Sequence, residues 1–125
     1  MHELCGNDAN LIIGFAGWCP PCIRNAPLWQ AGFDERADAS FGAYFVINET
    51  NTFIQPDASY CSGTAERFGL TMPVLFDPTG GFASAFGVAN NDSTIVLDSE
   101  LRIVDKGQYR SAESVFSDID ALLAE

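Results

Sequence analysis

The chain has 125 residues, which suits one compact domain spanning 1–125 and leaves no room for two. Hydrophobic residues make up 47% of it, enough for a core, yet no apolar run reaches the roughly 18 residues that a membrane span needs. Seventeen acidic residues against six basic ones give a net charge of −11, spread along the chain, which serves solubility and argues against nucleic acid and anionic membranes as partners.

Met1-His2-Glu3 is not a basic leader, and Leu11 to Ala16 is too short for a signal-peptide core. The sequence is therefore expected to be cytoplasmic or trimmed from a longer precursor. Four cysteines, Cys5, Cys19, Cys22 and Cys61, are too few for a disulfide scaffold of this size.

In chain order, Asn10 to Ala16 is a short, non-alternating apolar run that predicts a strand buried on both faces. Gly17 breaks it. From Pro21 to about Ala37 the spacing turns helical, with Ile23, Ala26, Trp29 (or Leu28) and Phe33 on one face. Pro21 fits a first helical turn, and Pro27 is expected to kink the helix.

Ala43 to Ile47 predicts a second buried strand, and Asn48 to Asp57 a loop. Asp57 can cap a helix from Ala58 to Phe68 that Gly69 closes. Val74 to Phe76 is a short strand, Asp77-Pro78-Thr79-Gly80-Gly81 a turn, and Phe82 to Phe86 a short helix ending at Gly87. Thr94–Leu97 and Arg102–Asp105 predict a hairpin. The last helix begins near Ser111, with Ala112, Val115, Phe116, Ile119, Leu122 and Leu123 on its apolar face. Parallel β-α-β units followed by a hairpin imply an α/β fold with a central mixed sheet flanked by helices on both faces.

Trp18-Cys19-Pro20-Pro21-Cys22 falls where the first strand meets the first helix. A helix N-terminus presents unpaired N–H groups and the positive end of its dipole, which stabilise a thiolate below the free-cysteine pKa of about 8.5. The thiolate is the form that attacks a disulfide. Cys19 is thus expected to be the exposed nucleophile, and Cys22, one turn deeper, the resolving thiol. Pro20 and Pro21 remove two donors and stiffen the turn. Trp18 offers a flat apolar surface for an extended substrate. Two alternatives are a zinc site completed by Cys5 and Cys61, and a structural disulfide without catalytic duty. The second C-x-x-C of a zinc knuckle is missing, and strand–turn–helix placement is redox context.

These residues resemble the thioredoxin superfamily, and look closest to its TlpA/ResA-like or AhpC/TSA-like redoxin branch. The resemblance runs from Leu11 through the Trp18–Cys22 motif, Ala26-Pro27, Phe68 to Pro78, Phe86-Gly87-Val88 and Thr94 to Asp98. It implies a thioredoxin fold and dithiol–disulfide exchange with protein substrates, an upstream thiol reductant, no bound cofactor and no metal. An extracytoplasmic site of action, periplasmic or membrane-tethered, is expected, with a cytoplasmic one as the alternative.

Three departures from the family pattern stand out. The family's cis-proline position, facing the two sulfurs, falls on Asp92; Pro73, the other candidate, belongs better to the family's insertion. The family's buried strand carboxylate is Ile13, and the glutamate three residues after the second cysteine is Asn25. Asp92 then has two readings. It either lies beside the sulfurs, repelling the Cys19 thiolate and taking the Cys22 proton, or is a solvated acid in the Asn90–Ser93 turn. Exposed loop acids are usually solvated, so the second is the expectation, with a trans Asn91–Asp92 bond.

Cys5 and Cys61 are either buried free thiols or a second disulfide. His2 is read as terminal and not a ligand. Rival functions are a peroxiredoxin-like peroxidase, weakened by Ala16 where that family has threonine, a metal-transfer module lacking its histidine, and a non-catalytic interaction domain.

Overall fold

The computed structural model describes residues 6–77, 81–89 and 91–125. Among the described residues, four helices and five strands follow in the order β1 (Ala9–Ala16), α1 (Pro20–Glu35), β2 (Phe41–Glu49), α2 (Ala58–Phe68), β3 (Val74–Phe76), α3 (Gly81–Phe86), β4 (Ser93–Asp98), β5 (Ile103–Gln108) and α4 (Ala112–Leu123). The strands form one sheet in the order β3-β2-β1-β4-β5. β2 runs parallel to β1 and β3, whereas β4 is antiparallel to both β1 and β5. This is the mixed sheet of a thioredoxin fold.

The apolar run of β1 is buried at every residue, because helices cover both faces of the sheet. Alternate side chains divide between two cores, as the period of two requires. Leu11, Ile13 and Phe15 join Phe45, Ile47 and Val96 under α1, α2 and α4, with Trp29 and Phe116 among the contacts. Ile12 joins Tyr44, Val46, Ile95 and Leu97 on the other face, where Phe82 and Phe86 of α3 pack. Each fully buried side chain of this kind contributes about 1.5–3 kcal/mol.

The helix ends carry the caps that the sequence specifies. Asp57 accepts from the Tyr60 N–H at 2.8 Å, Gly69 closes α2 at φ 64°, and Ser111 accepts from the Ser114 N–H at 3.1 Å. α1 runs on through Pro27. Gly32 lets α4 approach α1, since a side chain there would strike the Phe116 ring. Two strands outrun their predicted ends. β2 reaches Glu49, and β5 continues through Lys106-Gly107 to Gln108, pairing Gln108 with Ser93. The second extension brings β5 to the end of the sheet where α1 begins. Residues 78–80 of the predicted turn lie outside the described set.

Candidate active site

β1 ends at Ala16, and the chain turns into α1 through Gly17, Trp18 and Cys19. Gly17 must be glycine, because a Cβ would collide with the Tyr60 hydroxyl and the Asn51 backbone. Its N–H bonds the Glu49 carbonyl at 2.9 Å, and the Cys19 N–H bonds that of Ala16 at 3.1 Å. Cys19 is the N-cap of α1, with φ −94° and ψ 109°. Pro20 and Pro21 occupy the first two helical positions and have no N–H. The first free donor of the helix is therefore that of Cys22, and it points at the Cys19 Sγ, 3.3 Å away. The prolines thus leave the sulfur as the natural acceptor for the helix's leading donor.

Cys22 lies one turn on, buried against the core. Its thiol pKa is pushed well above the usual value. Burial is the main cause, followed by the Cys19 hydrogen bond, with the charges of Cys19 and Asp92 adding to it and a backbone contact at Ala16 opposing. Burial therefore keeps the Cys22 thiol protonated. Both cysteines are thiols in this structure.

Cys19 is not the exposed sulfur that the sequence suggested: it is 1% accessible and Cys22 2%. Part of its cover comes from the turn that leads into β4, the strand beside β1. The Asn91 side-chain Nδ2 lies 3.5 Å from the Cys19 Sγ and 3.4 Å from the Tyr109 hydroxyl.

A family model described as Redoxin matches residues 3–123. The chain belongs to the Redoxin family. No curated protein matches it. Among solved structures, a hypothetical protein from Sinorhizobium meliloti 1021 superposes with a TM-score of 0.87 at 19% identity, covering 98% of this chain and 73% of that one. A thiol:disulfide interchange protein of the thioredoxin family from Chlorobium tepidum TLS gives 0.75 at 19%, covering 98% and 83%. A secreted Mycobacterium tuberculosis disulfide oxidoreductase homologous to E. coli DsbE gives 0.75 at 13%, covering 96% and 85%. At these identities the likeness concerns the fold.

Within this Redoxin fold the three departures acquire a geometry. Ile13 is buried in the core, so β1 carries no carboxylate there. Asp92 is not the solvated turn acid that was expected, being 4% accessible. The residue just past β5 is tied to its backbone, the Tyr109 N–H bonding the Asp92 carbonyl at 3.0 Å. Its backbone sits at φ 47°, and no peptide bond among the described residues is cis. The Asn25 Nδ2 donates to the Asp92 Oδ1 at 3.4 Å. The amide at the family's glutamate position thus meets a carboxylate at its proline position. Burial pushes the Asp92 pKa up, against the opposing pull of Asn25 and Arg24.

Trp18 is half-buried beside the pair. Its Nε1 donates to the Glu49 Oε1 at 3.1 Å, and its ring stacks on Phe53 at 5.2 Å and 18°. Phe53 has φ 63°, and both it and Ile54 are largely exposed. Pro20 is exposed at the helix tip.

Sequence reasoning did not find Asn91, Gln108, Tyr109 or Phe53 as site residues. Asn91 was next to the family's proline position, which was the one available signal. Phe53 lay in an unstructured reading of the 48–57 loop. Cys61 is buried on α2, its pKa raised by burial and by Asp57. Cys5 and His2 lie outside the described residues, so the Cys5–Cys61 pairing and the zinc set fall there too. Among the described residues no group of three or more His, Cys, Asp or Glu could hold a metal, and no helix is long and apolar enough to cross a membrane.

Proposed function

We propose that the chain is a thiol–disulfide oxidoreductase that reduces protein disulfides through Cys19 and Cys22. The observation that carries this reading is the Cys22 N–H aimed at the Cys19 Sγ at the cap of α1, with a second, protonated thiol one turn away. The Cys19 thiolate attacks one sulfur of a substrate disulfide, forming a mixed disulfide and releasing a substrate thiolate. Cys22 gives up its proton and attacks the Cys19 sulfur. The intramolecular disulfide forms and the second substrate thiolate leaves. Two electrons pass to the substrate, and an upstream thiol reductant returns them, so the cycle uses no other cofactor.

Asp92 receives the Cys22 proton. Its charge is felt at Cys22, and burial raises its pKa toward the range useful for a base. Trp18, stacked on Phe53, docks the apolar flank of the substrate. Action outside the cytoplasm is supported by the secreted mycobacterial neighbour.

Turnover of insulin disulfides tests the activity, with Cys19→Ser expected at background. The equilibrium potential of the pair tests its direction. A value near or below about −270 mV supports a reductant, and one near about −120 mV marks an oxidant and overturns that part.

A further inference from the structure

The Cys19 sulfur receives a second hydrogen bond, and its donor comes from the chain just ahead of β4, the strand beside β1. The turn before β4 places the Asn91 side chain over the sulfur, with Nδ2 at 3.5 Å. Which end of an amide faces a neighbour must be argued from the network. Here Gln108 decides it. One Gln108 nitrogen lies 3.1 Å from the Asn91 backbone carbonyl and 3.2 Å from Asn91 Oδ1. A backbone carbonyl only accepts, so the Gln108 atom is the NH2 group, and the Asn91 atom it also meets is the oxygen. The Asn91 NH2 is left facing Cys19 Sγ and the Tyr109 hydroxyl, one hydrogen for each.

We infer that Asn91 is a catalytic hydrogen-bond donor to the Cys19 thiolate, with Gln108 a positioning residue that fixes the direction of its amide. This deepens the oxidoreductase reading and rests on it. The sulfur then has two donors, the Cys22 N–H from the helix and the Asn91 amide from the turn before β4. A donor to a charged acceptor is worth more than one to a neutral acceptor, so the pair favours the thiolate over the thiol. Among the described residues, the other titratable groups next to the sulfur or its donor are Cys22 on α1, Asp92 ahead of β4 and Tyr109 after β5. Asn91 also shields the sulfur, so donation and shielding have to be separated by measurement.

Alkylation of Cys19 by iodoacetamide, followed across pH by peptide mass mapping, separates them. The midpoint of the rate profile reads thiolate stability, and the high-pH plateau reads access. Asn91→Leu keeps the bulk and removes the donor. The expected result is a midpoint moved to higher pH, a rate at pH 7 lower by about tenfold or more, and an unchanged plateau. Gln108→Leu, at an exposed position, should move the midpoint the same way by less, and serves if Asn91→Leu does not fold. A midpoint that stays put in the folded variants overturns the assignment, whatever the plateau does. Because alkylation needs no disulfide substrate, a shifted midpoint in a protein that fails to reduce insulin would keep the donor and discard the reductase.

Discussion

Asn91 to Leu97 is buried from end to end, yet its two halves are built on opposite terms. Ile95, Val96 and Leu97 are apolar and feed both cores of the sheet. Asn91, Asp92, Ser93 and Thr94 are polar and also buried, and the Ser93 and Thr94 hydroxyls have no hydrogen-bond partner among the described residues. Burying polar groups without partners costs free energy, typically about 1–3 kcal/mol each. The apolar half is what packing alone would select. The polar half is what packing alone would reject, and it is the half beside the cysteines. Departures from local consistency of this kind collect where a chain does chemistry.

Substitutions on each half put numbers on that contrast. Ile95→Ala removes a fully buried side chain of the second core and should cost about 2–5 kcal/mol in denaturant unfolding. Thr94→Val removes a buried hydroxyl without a partner and should instead stabilise, by about 1 kcal/mol. Loss of stability in Thr94→Val would mean the hydroxyl is satisfied after all, and the contrast between the halves would shrink to Asp92.

The third test depends on pH. Burial raises the Asp92 pKa in the folded protein above its unfolded value of about 3.9. The unfolded chain therefore ionises first as pH rises, and the fold loses stability between the unfolded and folded values. Asp92→Asn escapes this loss. Its melting temperature should exceed that of the wild type at pH 7, and the gap should close as pH falls to about 4 and below. A gap that is constant across pH would show that the carboxyl is not held in an unfavourable environment.

Much of the fold was legible because its signals are local. The short, non-alternating apolar run from Leu11 to Phe15, broken by Gly17, suits a strand covered on both sides. Asp57, Gly69 and Ser111 mark helix ends by side-chain chemistry alone. The C-x-x-C pair was legible for the same reason, its spacing and prolines placing a sulfur at a helix cap. The environment of that sulfur was not. Asn91 stands 72 positions from Cys19, and only the sheet brings them together. The length of β5 was hidden by Lys106, Gly107 and Gln108, which carry no apolar alternation. Gln108 in that stretch bonds Asn91, and Tyr109 just beyond it bonds the Asp92 carbonyl, so one misjudged strand end concealed neighbours of both.

The division of labour between the two cysteines is tested most directly by trapping. Cys22→Ser, incubated with a disulfide-bonded protein substrate, should accumulate a mixed disulfide that peptide mass mapping places on Cys19, while Cys19→Ser accumulates none. An adduct on Cys61, or one on Cys22 in Cys19→Ser in place of the Cys19 adduct, would contradict the account.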